Sequence, residues 1–227
     1  MNLFFKLILI FCLIGCTETT KYKEFSVING SAQEVRVSSD IALRKSRNAT
    51  VKITSFSVDG NEVSGSGAYV THRGSHYILT AAHVVSAFPQ AVISTGAVDV
   101  IASVVFIDLQ NDTALLSVQK LYSRDPVPWR TVDNPKVGTG IVYSGFPNLL
   151  SLLTIEGKIA GFVSNRILIH SYVWKGSSGS MVINKQGKIV GVVSAVDVGM
   201  DMVGIPTIIE DVGIIASVQT IDEFLNK

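Results

Sequence analysis

The sequence predicts an all-β fold, a barrel or a sandwich, preceded by a segment for export. From residue 50 onward, short runs rich in Val, Ile and Thr alternate with turn signals, as in TVKITSFSV followed by DGN. Many short strands with frequent turns are typical of β barrels and sandwiches. Only two stretches have helical character: SSDIALRKSR, and the final SVQTIDEFLNK, where Val218, Ile221, Phe224 and Leu225 have helical spacing.

The composition argues against some classes of partner. The 227 residues contain 19 Lys and Arg against 18 Asp and Glu. This balance gives no general attraction to nucleic acid or to an anionic surface, so no nucleic-acid partner is expected. Hydrophobic residues make up 47% of the chain, enough to build a buried core without disulfides or metal. No cofactor is expected either.

The first sixteen residues, MNLFFKLILIFCLIGC, have the pattern of an export signal. The apolar run from Leu7 to Gly15 is too short to cross a bilayer, which needs about 20 residues. Its end, LIGC, resembles the lipobox of bacterial lipoproteins, whose signal is cut before a lipid-bearing Cys. This resemblance implies a signal peptide at residues 1–15, lipidation of Cys16 and a polar tether at residues 16–40. The alternative is an ordinary secretory signal that is cut slightly later.

The protein is accordingly expected to be exported and membrane-anchored as a lipoprotein, on the periplasmic or cell-surface side. The only cysteines are Cys12 and Cys16, which lie in the signal and at its end. The mature domain therefore has no thiol to pair, so it lacks disulfides.

Residues suited to amide hydrolysis occur at three points of the chain. This chemistry near neutral pH requires a nucleophile, a base and a partner that orients the base. His83 ends the run YILTAAH, where small neighbours leave room for an imidazole, the natural base. Asp112 directly precedes the apolar run TALLSV, and Asp108 is a competing carboxylate in the same loop. The third point is GSSGS at residues 176–180, where composition alone does not choose among the three serines.

The order of these motifs resembles that of one protease family. LTAAHVV, NDTALL, GSSGS and VGVVSA are together similar to the chymotrypsin-like (trypsin-type) serine proteases, and closest to their compact bacterial branch with the HtrA and glutamyl endopeptidase groups. Subtilisins and α/β-hydrolases use the same residue types in other orders. The resemblance covers roughly residues 50–226. It implies two six-stranded antiparallel β-barrels with a C-terminal helix in residues 41–227, divided at about residues 41–130 and 131–227.

The resemblance also implies a role for each candidate site residue. In the family pattern G-x-S-G, Ser178 is the nucleophile, and the backbone N–H groups of Gly176 and Ser178 form the oxyanion hole. His83 would take the proton from Ser178 and return it to the leaving amine, while Asp112 would hold the imidazole tautomer. Ser194 would support Asp112. Ser177 replaces an Asp of trypsin-type zymogens, which predicts a protease that needs no activation by N-terminal cleavage.

Substrate contacts are expected from two segments near the nucleophile. The specificity pocket would include Tyr172 and Val173, and its far wall would consist of Val193, Ser194, Ala195 and Val196. The strand from Ser194 to Val196 would pair with the substrate backbone. No Asp stands where trypsin would bind Lys or Arg, so we expect a small-to-medium apolar substrate side chain.

Two functions of different classes follow from these residues. The first is a membrane-anchored serine endopeptidase that cleaves protein or peptide substrates through an acyl-enzyme. The alternative is a lipid-anchored, non-catalytic binding protein with the same fold. The remaining histidines, His72, His76 and His170, have no partner at ligand spacing, so no metal site is expected.

Overall fold

The computed structural model describes residues 23–28, 31–35, 40–200 and 206–227, with side chains from residue 40 except 149 and 195–211. Cys16 and the predicted signal peptide lie outside the described residues. Within the expected tether, the backbone forms two antiparallel strands, β1 (Lys23–Ile28) and β2 (Ser31–Val35). Across the described ranges, no helix combines the length and apolarity needed to span a membrane.

The helix α1 (Ile41–Ala49) bridges the two halves of the molecule. It begins at Asp40, whose carboxylate accepts hydrogen bonds from two backbone N–H groups of the first turn. Such a cap satisfies donors that have no partner inside the helix. On its buried face, Ser46 Oγ donates to the hydroxyl of Ser144, a residue of the second half, at 2.9 Å. The sequence prediction of a short helix here is confirmed.

The first barrel is a closed sheet of six antiparallel strands. These are β3 (Thr50–Phe56), β4 (Glu62–His72), β5 (Ser75–Thr80), β6 (Gln90–Ser94), β7 (Asp99–Asp108) and β8 (Thr113–Ser117). Their order is β3-β6-β7-β8-β5-β4, and pairing of β4 with β3 closes the ring. A one-turn helix, α2 (Ala82–Val85), follows β5, and the short β9 (Val127–Pro128) adds to β4 in parallel.

The second barrel also consists of six antiparallel strands. These are β10 (Gly140–Gly145), β11 (Leu153–Val163), β12 (Arg166–His170), β13 (Met181–Asn184), β14 (Ile189–Met200) and β15 (Pro206–Ala216). They close in the order β10-β11-β12-β15-β14-β13. A single 3₁₀ turn (Pro147–Leu149) lies between β10 and β11.

The final helix, α3 (Gln219–Leu225), returns to the first barrel. The ring of Phe224 packs against Phe106 of β7 with centroids 5.0 Å apart. Trp129 Nε1 donates to Asp222 Oδ1 at 2.7 Å. The predicted fold class, two six-stranded antiparallel β-barrels with a C-terminal helix, is therefore confirmed.

The hydrophobic core joins the barrels rather than stopping at their boundary. One cluster fills the first barrel with residues such as Ile53 and Leu115 and continues through Met181 and Val192 of the second. A smaller cluster lies inside the second barrel around the fully buried Tyr143. Because the larger cluster spans both barrels, the apolar burial that stabilises the fold also fixes the barrels against each other.

Candidate active site

His83 and Asp112 meet because their elements follow paired strands of the first barrel. His83 lies in α2, directly after β5, and Asp112 directly precedes β8. These strands pair with Thr80 opposite Ala114, so both residues lie at one barrel edge. His83 Nδ1 is 2.9 Å from each carboxylate oxygen of Asp112. The backbone N–H of His83 also donates to Oδ1 at 3.0 Å, so the carboxylate binds both the backbone and the imidazole of His83.

The Asp112 carboxylate is held in its ionised form. Its backbone has a φ of 54°, a left-handed conformation that Asp tolerates better than most residues. Burial alone would raise its pKa, but hydrogen bonds from His83 and from the Ser194 hydroxyl hold the pKa below the usual value. An ionised carboxylate only accepts hydrogen bonds, so the proton of His83 lies on Nδ1. Nε2 of His83, whose side chain is 49% exposed, is then free to accept a proton.

Asp108, the competing carboxylate, organises the loop instead. Its Oδ1 accepts from the backbone N–H of Asn111 at 3.0 Å, and its Oδ2 accepts from Asn111 Nδ2 at 2.7 Å. The side chain of Asn165, from the β11–β12 turn, donates to Asn111 Oδ1. The structure thus brings Asp112 to His83 and uses Asp108 to shape the turn before it.

Among the three serines of GSSGS, only Ser178 is accessible. Ser177 and Ser180 are fully buried, with exposed fractions of 0%. Ser178 is partly exposed, and its Oγ lies 3.5 Å from the backbone carbonyl oxygen of Ser194. Exposure therefore selects the same serine that the motif selected.

Hydrogen bonds connect Ser178 to the histidine pair through one residue. Ser194 accepts from Ser178 through its carbonyl and donates to Asp112 through its hydroxyl. Within the described residues, no hydrogen bond joins Ser178 Oγ directly to His83. In this structure the Ser178 hydroxyl is directed at the Ser194 carbonyl.

The backbone before Ser178 forms a tight turn around Gly176. The N–H of Ser177 donates to the carbonyl of Trp174 at 2.9 Å, which closes a four-residue turn. Gly176 occupies the third position with φ 90°, a conformation that favours glycine. A Cβ there would lie 2.4 Å from the carbonyl oxygen of Phe146. Both backbone conformation and space thus require glycine at this position.

This turn leaves two N–H groups available. The carbonyl of Lys175 accepts from the N–H of Asn148 at 2.5 Å. Because a trans peptide is planar, the N–H of Gly176 points away from that loop. Within the described chain, the N–H groups of Gly176 and Ser178 have no hydrogen-bond partner. Two free donors beside an accessible hydroxyl can bind an oxygen that gains negative charge.

The chain is similar in sequence and structure to known peptidases. The family model described as a trypsin-like peptidase domain matches residues 65–192. The chain belongs to the trypsin-like peptidase family. No curated protein sequence matches the chain significantly.

Solved structures show the same trypsin-like fold at low sequence identity. The active form of the Rv3671c protease from M. tuberculosis is 21% identical with a TM-score of 0.67, covering 83% of this chain and 84% of that chain. A serine endoprotease from Yersinia pestis is 22% identical with a TM-score of 0.66, covering 85% and 67%. The HtrA-type protease AlgW with a tripeptide is 18% identical with a TM-score of 0.66, covering 82% and 61%.

Two further residues shape this candidate site, and the sequence patterns assigned neither of them a role. Gly179 has φ 89°, and a Cβ there would lie 2.0 Å from the carbonyl oxygen of Ser66. Ser66 lies on β4 of the first barrel and contacts the turn around Gly176. The glycine next to Ser178 was visible as part of GSSGS, whereas nothing in the sequence around Ser66 connects it to a loop so distant along the chain.

The predicted substrate-binding residues occupy different environments. The exposed Tyr172 has its ring parallel to that of Trp174, with 7° between planes and centroids 6.4 Å apart. Val193 is fully buried in the core of the second barrel, so its side chain does not face a substrate. Ala195 and Val196 lie on β14, opposite Ile214 and Gly213 of β15, but their side chains lie outside the described part.

Val173 packs against the backbone of β15 at Gly213. A Cβ on Gly213 would lie 2.3 Å from Cγ2 of Val173, so the valine fills the space above this glycine. Val173 itself is buried and belongs to the core cluster of the second barrel. Its side chain therefore lies in the barrel core, as that of Val193 does.

The other histidines lie apart from this site. His76 Nδ1 is 2.6 Å from Tyr69 Oη, and the two rings are stacked. His170 ends β12 and is exposed. Among residues that the structure describes, no group of three or more His, Cys, Asp or Glu is arranged to hold a metal ion.

Proposed function

We propose that the protein is a serine endopeptidase that hydrolyses peptide bonds through His83, Asp112 and Ser178. One observation carries this proposal. The carboxylate of Asp112 lies 2.9 Å from Nδ1 of His83 at the edge of the first barrel. Across from it lies Ser178, the only accessible serine of GSSGS. The N–H groups of Gly176 and Ser178 beside it have no hydrogen-bond partner within the described chain.

The proposed reaction forms and breaks an acyl-enzyme. Ser178 Oγ turns from the Ser194 carbonyl, bonds to the substrate carbonyl carbon, and gives its proton to Nε2 of His83. The negative oxygen accepts hydrogen bonds from the N–H groups of Gly176 and Ser178. When the C–N bond breaks, His83 returns the proton to the leaving amine. Water then repeats the sequence and releases the acid, while Asp112 stabilises the imidazolium.

The non-catalytic alternative explains fewer of these features. A binding module needs neither an ionised carboxylate on His83 Nδ1 nor two N–H groups without partners around Gly176. Two neighbouring backbone donors without a protein partner can instead bind an oxygen that gains negative charge during the reaction. Because the sequence has no Asp where trypsin would bind Lys or Arg, cleavage after small-to-medium apolar side chains is part of this proposal.

The proposal is tested by a fluorophosphonate probe and peptide mapping. We expect one label per molecule, on Ser178, as an Oγ–P bond forms, fluoride leaves and His83 takes the proton. Protein unfolded by heat is the control and should not be labelled, because the reaction needs the assembled site. A folded protein that stays unlabelled, or a label on another serine, would contradict the proposed function.

From the lipobox-like sequence we also propose that Cys16 bears lipid and keeps the peptidase at a membrane surface. Replacing it, Cys16→Ser, should shift the protein from the membrane fraction to the soluble fraction, because the thioether-linked lipid can no longer form. Cys12→Ser is the matched control and should leave the protein membrane-bound, since Cys12 lies inside the predicted signal. Equal partitioning of both variants, measured by fractionation and immunoblotting, would reject the anchor.

A further inference from the structure

We propose that the Ser66 hydroxyl, which belongs to the first barrel, is a positioning group for the turn at residues 174–177 of the second barrel. We call this turn, which carries the N–H of Gly176, the oxyanion turn. The inference rests on the proposed function, because it assigns a role in the same reaction to a residue outside the motifs. Ser66 has no contact with the reacting atoms in this proposal. It acts through the carbonyl of Gly176.

One buried hydroxyl connects two separate loops of the second barrel. Ser66 lies on β4 and has an exposed fraction of 0%. Its Oγ donates to the carbonyl of Gly176 at 2.7 Å and accepts from the N–H of Phe146 at 3.0 Å. The hydroxyl thereby satisfies one acceptor of the oxyanion turn and one donor at the end of β10.

The backbone of Ser66 is itself fixed to the same region. Its N–H donates to the carbonyl of Ser178 at 2.8 Å, and its carbonyl accepts from Thr80 Oγ1 at 2.8 Å. The preceding Gly65 would place a Cβ only 3.1 Å from the same Ser178 carbonyl. The strand and the nucleophile loop are therefore packed backbone to backbone, which gives the hydroxyl little freedom to move.

These bonds determine which backbone group of the turn stays free. Two peptide groups flank Gly176, and they carry two carbonyls and two N–H groups. Asn148 holds the first carbonyl, Ser66 holds the second, and the Trp174 carbonyl holds the N–H of Ser177. The remaining group is the N–H of Gly176, the one proposed to bind the oxyanion. Ser66 thus supplies one of the three restraints that orient this donor.

Removing the hydroxyl should therefore weaken catalysis more than substrate binding. Losing an oxyanion donor outright costs about 100- to 1000-fold in rate, and a donor that is only less well oriented costs less. For Ser66→Ala we expect kcat to fall about 10- to 100-fold while KM changes less than about threefold, the signature of an interaction made in the transition state. Binding of a peptide boronate, which places a negative oxygen in the hole, should weaken in parallel.

A matched control lies two residues earlier on the same strand. Ser64 Oγ donates to Glu62 Oε1 at 3.2 Å on the exposed part of β4. Ser64→Ala removes the same hydroxyl chemistry and should leave kcat and boronate affinity unchanged. If Ser66→Ala matches Ser64→Ala in both quantities, the inference is wrong while the proposed peptidase function stands.

Two further measurements keep the test independent of folding and of catalysis. Ser66→Cys is nearly isosteric, but a thiol is a weak donor, so it should show the same loss of kcat if the alanine variant does not fold. Amide hydrogen exchange at Phe146 should accelerate at least tenfold in a Ser66 variant relative to Ser64→Ala. This comparison needs no activity. Unchanged exchange would overturn the inference even if the wild-type protein proved inactive, which would separately reject the proposed function.

Discussion

Replacing Ser178 with alanine is expected to lower kcat about 10⁶-fold, the scale on which nucleophile removal acts in serine peptidases. The loss should be this large because no neighbouring hydroxyl can take over. Ser177 and Ser180 are fully buried, and Ser177 Oγ faces the N–H of Trp174 at 3.4 Å. Activity on a peptide substrate, compared with wild type at equal concentration of folded enzyme, measures the effect.

The structure provides a matched control for this variant in the same loop. The hydroxyl of Ser180 has no hydrogen-bond partner within the described chain, and a Cβ on Gly145 would lie 2.2 Å from it. Ser180→Ala therefore removes an unsatisfied polar atom from a crowded place, and wild-type kcat should persist. Equal activity of Ser178→Ala and Ser180→Ala would show that the nucleophile lies elsewhere.

The fold and the contact of His83 with Asp112 could be predicted because each depends on segments with a local signature. The alternation in TVKITSFSV and the turn after it mark a strand and a hairpin wherever they occur, and β3 and β4 follow them. His83, Asp112 and Ser178 each stand in a short motif of characteristic residue types. Their joint order raised the specificity that each motif lacked alone.

Other features could not be predicted because they depend on contacts distant in sequence or on weak local patterns. The hydrogen bond from Ser66 to Gly176 joins residues 110 positions apart in the sequence. The local sequence SGSG is equally compatible with a segment that faces solvent. The strand β15 begins at Pro206 and contains Glu210, Asp211 and Gly213, residues that are uncommon in strands. Its place in the barrel comes from pairing with β12 and β14, so tertiary structure overrides the local pattern.

Replacing Asp112 with asparagine should lower kcat about 10⁴-fold through the wrong imidazole tautomer. Both carboxylate oxygens accept: Oδ1 from the backbone N–H of His83 and Oδ2 from the Ser194 hydroxyl, while both lie 2.9 Å from Nδ1. If the amide oxygen keeps the backbone bond, its NH₂ group faces Nδ1 and donates to it. The ring proton then moves to Nε2, which can no longer accept the proton of Ser178.

The opposite orientation of the amide is also unfavourable. Its NH₂ group would then face the backbone N–H of His83, and two donors cannot form a hydrogen bond with each other. Asp108→Asn is the matched control: its side chain bonds within the loop to Asn111, so kcat should stay near the wild-type value. Equal losses in the two variants would assign Asp112 only a structural role in the loop.

Asp112→Asn should also change how the free energy of unfolding depends on pH, which a purely catalytic effect would not do. The folded-state pKa of Asp112 is lowered, against partial burial, by its bonds from His83 and Ser194. A carboxyl with a depressed pKa stabilises the fold above its unfolded pKa of about 3.9, and this contribution is lost as the pH falls through the folded value. The difference in unfolding free energy between wild type and Asp112→Asn should therefore be full at pH 7 and shrink below about pH 4. Denaturant titrations at both pH values measure it, and a difference independent of pH would mean that the carboxylate is not held ionised by His83 and Ser194.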